Sequence, residues 1–281
     1  MDRLIFRLSP LGYQYYNRAR RKLRRQYETE LQKHYRERQN ADCLLISPTN
    51  CGRTWLRIML GRMMQATYHI EKVNLHYLYS FSELNPTLPR IKAIHEKYGQ
   101  FGQYQNQKII FLVRDPRDAL VSRYHQHKSE YSDYATPDDF ILNAPDLAKY
   151  VEDYNSWQQH RHMTAGFTTI RYEDLKANPT IELRKVAQFL SLSFTDEVIA
   201  EAIQYASFDN MRAMELNGSE TVRAGVLMTV DRKATVPEEN RLKVRKGRVG
   251  GYQQELSAQA IDHLNSYIQA HLNPTYGYSE G

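Results

Sequence analysis

The apolar run Leu44-Leu45-Ile46 leads into the turn Ser47-Pro48-Thr49-Asn50-Cys51-Gly52-Arg53, and a helical pattern follows through Thr54, Leu56, Met59, Leu60 and Met63. No other stretch constrains the fold as strongly. It reads as a strand, a tight loop and a helix start. The first amides of a helix have no partner within it and the helix dipole is positive there, so this junction suits an anion. Arg53 and Thr54 add a cation and a hydroxyl at the same point. The G-x-x-x-x-G-K-[ST] pattern is absent, so no lysine is set against a β/γ-phosphate as in nucleoside-triphosphate loops. A phosphate or sulfate group is the expected ligand; the alternative is a buried first strand with an ordinary helix start.

A second junction of the same kind lies sixty residues on. Ile109-Ile110-Phe111-Leu112-Val113 is a short β-branched strand that ends in Arg114-Asp115-Pro116-Arg117-Asp118, with Pro116 suited to a helix's first turn. The next helix would turn Leu120, Val121 and Tyr124 inward and carry Ser122. In open α/β sheets ligands sit at the carboxyl ends of the strands, so Arg114 and Ser122 can meet on one anion there. Paired surface charges are the other reading of Arg114, Asp115 and Asp118. A third cluster, Arg241 to Arg248, holds five cations in eight residues and runs into Gly247, Gly250 and Gly251. Such runs are usually solvated, yet glycines also let backbone amides approach a phosphate.

In this order the segments resemble the sulfotransferase family that uses 3′-phosphoadenosine 5′-phosphosulfate (PAPS). The family's P-K-S-G-T-T-W or P-K-S-G-R-T-W-L-R loop, which grips the 5′-phosphosulfate, compares with Pro48 to Arg57. Its R-D-P-R-D-x-x-x-S element, which binds the 3′-phosphate, is matched by Arg114 to Ser122. Its Y-E-D-L-x-x-x-P segment is present as Tyr172 to Pro179. Its S-F-x-x-M turn near the adenine is present as Ser207 to Met211, and its R-K-G-x-x-G loop as Arg245 to Gly250. The resemblance covers roughly 42–272. It implies a P-loop-like sulfotransferase fold, PAPS as co-substrate with release of adenosine 3′,5′-bisphosphate, and no metal. It also implies nucleotide contacts from Cys51, Gly52, Arg53, Thr54, Trp55, Arg114, Ser122, Tyr172, Phe208, Arg245, Lys246 and Gly247.

One position departs from the family. Asn50 stands where a lysine usually contacts the bridging oxygen of the phosphosulfate, and an amide cannot neutralise the charge that develops there. Losing one such donor costs on the order of 10²–10³ in rate in other enzymes. Arg53, with its forked donors, is expected to substitute; a slow or inactive member is the alternative. Cys51 replaces a serine and reads as a small buried turn residue. A proton must leave the acceptor, and histidine suits that task near neutral pH. His95, 19 residues ahead of Arg114, falls where the family's catalytic histidine does, with Glu96 able to orient it or to be the base itself. The expected catalytic set is His95, Arg53 and Asn50.

The expected architecture is α/β, a central parallel sheet with helices on both faces. Strands are expected near 42–47, 108–113 and 167–171, and helices near 54–66, 116–128, 146–162, 179–190, 195–206 and 255–271. The chain has 281 residues, enough for one sizeable core. It divides into a basic N-terminal helical extension, 1–40, and a sulfotransferase domain, 41–281. Residues 1–40 hold 11 Lys/Arg against 4 Asp/Glu, while the remainder is balanced at 27 against 28. The positive balance thus belongs to the N-terminus and not to the nucleotide motifs, which argues against a nucleic-acid partner. Apolar Leu4 to Tyr16 followed by polybasic Arg18 to Arg25 could lie on an anionic membrane surface or pack on a core or a second copy in a homodimer. Only Cys43 and Cys51 are present and no apolar run of spanning length exists, so a cytoplasmic setting is expected. The lid is expected over 212–240. The tyrosine-rich stretches 67–107 and 129–160 suit the hydroxyl or amine of a small-molecule, carbohydrate or glycolipid acceptor alike. The rival functions are a nucleotide binder with weak or no catalysis and a small-molecule kinase, the latter disfavoured by the missing lysine.

Overall fold

The computed structural model of the chain describes residues 29–127, 130–217 and 246–279. The chain divides after Ala41 into two units. In the first, helix α1 covers 29–40. Arg18 to Arg25, Arg241 to Arg245 and the greater part of the expected lid lie outside the described residues.

The second unit is built on four parallel strands, β1 Cys43–Ile46, β2 Ile91–Ile94, β3 Tyr104–Val113 and β4 Thr164–Arg171, in the order β2-β1-β3-β4. Every residue of β1 is buried, as are the last five of β3. Successive side chains of a strand point to opposite faces, so helices and loops cover both sides of the sheet at its centre. The helices are α2 Arg53–Thr67, α3 Tyr79–Leu84, α4 Pro116–Gln126, α5 Pro137–Asn143, α6 Asp146–Gln159, α7 Tyr172–Ala177, α8 Pro179–Phe189, α9 Asp196–Tyr205, α10 Phe208–Asn217 and α11 Ala258–His271.

Several boundaries differ from the sequence expectation. β3 begins at Tyr104 and not at 108, because its polar first half pairs with β4 at Tyr104↔Thr164. Helix α4 stops at Gln126 and α6 at Gln159, ahead of the expected 128 and 162. The expected start of the last helix at 255 moves to Ala258, where the Ser257 side chain accepts from the Ala260 amide. β2 was not expected at all, and the segment 212–217 expected in a mobile lid is the end of α10.

The strand order places a crevice at the centre of the sheet. β1 pairs with β2 on one side and with β3 on the other, Ile46 facing both Ile94 and Phe111. The chain therefore moves outward from β1 to β2, then crosses back to β3. Such a reversal opens a gap between the loops that leave the two inner strands, where α/β proteins bind ligands. The four strands end at Ile46, Ile94, Val113 and Arg171, so Ser47, His95, Arg114 and Tyr172 emerge together at one edge.

Candidate active site

The loop after β1 turns through two left-handed residues, Asn50 at φ 62 and Gly52 at φ 88. Asparagine tolerates this region and glycine enters it freely. A Cβ at Gly52 would lie 2.6 Å from Tyr172 Cδ2, so the position is closed to a side chain on two grounds. The loop is tied down from below: the Tyr150 hydroxyl donates to the Thr49 carbonyl at 2.5 Å and Arg123 NH1 donates to Thr49 Oγ1 at 2.8 Å. Cys51 is buried, and desolvation pushes its thiol up to about 12. It is a packing residue, as expected of a small turn side chain.

Across the crevice Arg114 NH1 donates to the Asn50 carbonyl at 3.2 Å and NH2 to the Arg248 carbonyl at 3.0 Å. Its guanidinium lies over the Tyr172 ring, 4.5 Å from the centroid, and its Nε is buried without a hydrogen-bond partner. Asp115 caps α4 by accepting from the Arg117 amide at 2.9 Å, with Pro116 in the first turn. Asp118 is buried and accepts from the amides of Gly250 at 2.8 Å and Tyr252 at 3.0 Å. The R-D-P-R-D run is therefore a packed junction and not a solvated charge cluster. Its second acid fastens the late glycine loop to α4.

Asn50 Nδ2 donates to Gln126 Oε1 at 2.5 Å and to Ser122 Oγ at 3.3 Å. Ser122 and Gln126 are four apart on α4 and share a face, a spacing that could have flagged Gln126 in the sequence. Arg53 opens α2, and Arg57 follows one turn later. Burial and the neighbouring Arg57 push the Arg53 guanidinium down to about 9, and its NH1 is buried with no hydrogen-bond partner. Arg57 is depressed to about 10 by burial and donates from Nε to the His76 carbonyl at 2.6 Å. Two adjacent, half-buried cations without a carboxylate partner are costly. Arg57 lies within the loop that resembles the family's but was not among the expected nucleotide contacts.

Trp55 meets Tyr172 edge to face at 5.8 Å, donates from Nε1 to the Ala206 carbonyl at 2.8 Å and has Lys176 Nζ 5.7 Å above its ring. Gly247, at φ 58, packs so near Phe208 that a Cβ would lie 2.9 Å from Cδ2. Lys246 Nζ reaches Glu255 Oε1 at 3.0 Å, and His125 Nε2 reaches the other oxygen at 2.8 Å.

His95 is exposed at the end of β2, and its Nδ1 lies 2.6 Å from the Ser47 carbonyl. A carbonyl only accepts, so Nδ1 carries the proton in this contact. The parallel pairing of Ile46 with Ile94 makes this contact. Glu96, the candidate to orient His95 or to be the base itself, is buried and takes a hydrogen bond from the Tyr104 hydroxyl.

These pieces surround one cavity of about 480 Å³. It gathers His95, Asn50, Cys51, Gly52, Arg53, Thr54, Trp55, Arg114, Ser122, Tyr172, Phe208, Lys246 and Gly247, all expected from the sequence. Arg245 alone of that set lies outside the described residues. Ser47, Arg57, Asp118, Gln126 and Lys176 line it as well. Among the described residues no group of three or more His, Cys, Asp or Glu could hold a metal ion, and no helix is long and apolar enough to cross a membrane.

A parallel α/β sheet whose first loop and half-buried arginines face its switch point is suited to a multiply charged anion. The comparisons narrow that class. The family model described as the sulfotransferase domain matches residues 40–275, and the chain belongs to this family. It is 25% identical to cytosolic sulfotransferase 15 of Arabidopsis thaliana, covering 86% of this chain and 74% of that one. It is 28% identical to sulfotransferase 6B1 of Mus musculus, over 66% of this chain and 65% of the relative. The fold is shared with retinol dehydratase in complex with androsterone and PAP, at 17% identity and TM-score 0.61 over 82% of this chain and 80% of that one. A mouse sulfotransferase complexed with PAP aligns at 20% identity and TM-score 0.57 over 86% and 89%.

Proposed function

We propose that the chain transfers a sulfuryl group from PAPS to a hydroxyl or amine of a small acceptor, with His95 as general base. Membership of the sulfotransferase family and relatives solved with PAP support the donor. The observation that carries the reading is the pair of buried, unpartnered guanidinium nitrogens, Arg53 NH1 and Arg114 Nε, on the wall of one cavity. A buried donor without a partner is rare, and the two ends of a phosphosulfate nucleotide would satisfy both.

In this reading the acceptor oxygen attacks sulfur as its proton passes to His95 Nε2. The bond from sulfur to the bridging oxygen breaks, and adenosine 3′,5′-bisphosphate leaves. Arg53, Thr54 and the loop amides stabilise the charge that grows on the departing oxygen. Asn50 acts beside them by tying the loop to Ser122 and Gln126. Arg114, Ser122, Arg245, Lys246 and the Gly247 amide hold the 3′-phosphate, which fixes geometry. Trp55, Tyr172 and Phe208 contact the adenine.

Calorimetry with adenosine 3′,5′-bisphosphate, AMP and ATP, without metal, tests this. Tight binding that requires the 3′-phosphate is expected; equal affinity for all three would refute the donor site. A second reading, a nucleotide-binding member with slow turnover, is favoured by the engagement of the Asn50 amide with Gln126 and Ser122. Binding without sulfuryl transfer to any acceptor would select it.

A further inference from the structure

The mechanism above gives Arg57 no part, although it lines the same cavity as Arg53 and His95. It stands one turn beyond Arg53 on α2, and its Nε donates to the His76 carbonyl at 2.6 Å. That bond fixes the plane of the guanidinium and leaves the edge formed by NH1 and NH2. Among the described residues neither terminal nitrogen has a hydrogen-bond or ion-pair partner. Neither is shut off from the cavity, in contrast to the buried Arg53 NH1. Arg62, further along the same helix, shows the usual arrangement: its Nε and NH2 fork onto the Glu201 carboxylate at 2.7–3.0 Å.

The anchor decides which side of the cavity Arg57 serves. His76 lies in the connection from α2 to α3. On one side of it Leu75 abuts α2, where a Cβ at Gly61 would lie 2.1 Å from the Leu75 carbonyl oxygen. On the other side the Tyr77 ring meets Lys92 of β2, with Nζ 5.6 Å from its centroid. The connection therefore bridges α2 and β2, the strand that delivers His95. Arg114 reaches the cavity from β3, across β1. The cations assigned to the nucleotide are Arg53 at its 5′ end and Arg114, Arg245 and Lys246 at its 3′-phosphate. Arg57 is surplus to them, about 5.4 Å further from the start of α2 than Arg53, and on the side of the base.

Burial pushes its guanidinium down to about 10, so at neutral pH it is charged and poorly hydrated, with a second cation one turn away. A neutral acceptor filling the cavity would strip more water from it and return no charge. A carboxylate returns a charge and matches the flat edge of NH1 and NH2 with two parallel hydrogen bonds. One negative charge suits the place better than two, because the donor's 5′ end is itself anionic and like charges repel.

We propose that Arg57 selects the acceptor, and that the acceptor is a hydroxylated carboxylic acid whose carboxylate lies on the free edge of Arg57 while its hydroxyl faces His95. The hydroxyl oxygen forms the new bond to sulfur and its proton passes to His95; the carboxylate pairs with Arg57 and is unchanged. This names the substrate class of the proposed function and rests on its reading of His95 and the donor.

The test is ligand-observed NMR binding on the full chain saturated with adenosine 3′,5′-bisphosphate, comparing 4-hydroxybenzoate, 4-hydroxyphenylacetate and 4-hydroxyphenylpropionate with their primary amides. At least one acid is expected to bind about tenfold or more better than its amide, the scale of a hydrogen bond to a charged group. Arg57→Met should bring that acid and its amide to within about twofold of each other, and should hold the bisphosphate as the parent does. Arg57→Lys, which keeps the charge and loses the fork, should retain part of the preference. If Arg57→Met does not fold, Arg57→Gln takes its place. The proposal is overturned if no acid outbinds its amide or if the folded uncharged variant keeps the preference. It is also overturned if that variant loses the bisphosphate and not the acid, which would give Arg57 to the nucleotide. Failure of the parent to bind the bisphosphate, with Arg57-dependent binding of the acid intact, would remove the donor reading and leave the carboxylate site standing.

Discussion

Replacing Arg53 with methionine should make the protein harder to unfold and poorer at holding its nucleotide. The guanidinium is desolvated, sits beside Arg57 and is pushed well below its ordinary value, down to about 9. At about 1.4 kcal/mol per tenfold change in acidity, that depression amounts to about 5 kcal/mol for keeping the charge. Relaxation and water penetration lower the realised part, and apolar replacements of buried charges elsewhere return about 1–4 kcal/mol. The sign follows from the direction: a base whose folded pKa lies below its unfolded value opposes folding while it is charged in both states. The cost is fully present below about pH 9 and fades as the pH rises from there toward the ordinary arginine value. At pH 7 a return of about 1–2 kcal/mol should raise Tm by about 2–8 °C for a domain of this size. The same change removes a charged donor from the anion, so affinity for adenosine 3′,5′-bisphosphate should fall by about 1.5–3 kcal/mol, roughly 10–150-fold. Scanning calorimetry with and without the bisphosphate reads both quantities, because ligand binding adds RT ln(1 + [L]/Kd) to stability. A variant that melts lower than the parent without ligand would refute the reasoning, since it would make the buried guanidinium a net contributor to folding.

Arg114→Ala should weaken the bisphosphate by roughly 1.5–3 kcal/mol, while leaving AMP, which lacks the 3′-phosphate, almost unaffected by calorimetry. His95→Ala should leave bisphosphate affinity nearly intact and cut sulfuryl transfer by about 10²–10⁴; full activity would remove His95 from the base role. Gly52→Ala must hold φ 88 and displace Tyr172, so a stability loss of about 1–3 kcal/mol by denaturant titration is expected. Cys51, with its thiol pushed up to about 12, should resist iodoacetamide at pH 8 in the folded protein, and rapid labelling by mass spectrometry would contradict the packing described for the loop.

The sequence made the inner strands legible because β1 and the second half of β3 are unbroken apolar runs, the pattern of strands covered on both faces. β2 is different. Ile91-Lys92-Ala93-Ile94 contains a lysine, which is buried with Nζ 5.6 Å from the Tyr77 ring centroid, and four residues with a central charge do not announce a strand. Helix α5 did carry a signal, Thr136 followed by Pro137-Asp138-Asp139, with Thr136 Oγ1 accepting from the Asp139 amide at 3.1 Å. It went unused because the helix is short. The cavity wall was legible to the extent that motif residues directly follow strand ends. The contact of His95 Nδ1 with the Ser47 carbonyl was not, because it is delivered by the register of β1 against β2. No side-chain pattern encodes that. Arg57 falls inside the resembling loop, yet its place on the cavity was not legible: on a helix otherwise rich in Met and Leu, an arginine reads as the solvent-facing residue.

The hold of Asp118 on the amides of Gly250 and Tyr252 has an entropic side. Immobilising a backbone residue costs about 1–2 kcal/mol at room temperature, and glycine, with the widest conformational range, sits at the upper end. A phosphate-gripping loop that met its ligand as a free chain would take that loss out of the binding affinity. Here one carboxylate on a rigid helix confines the segment during folding. The ordering entropy of Gly250 to Tyr252 is thereby assigned to the stability of the protein and kept out of the dissociation constant of its nucleotide.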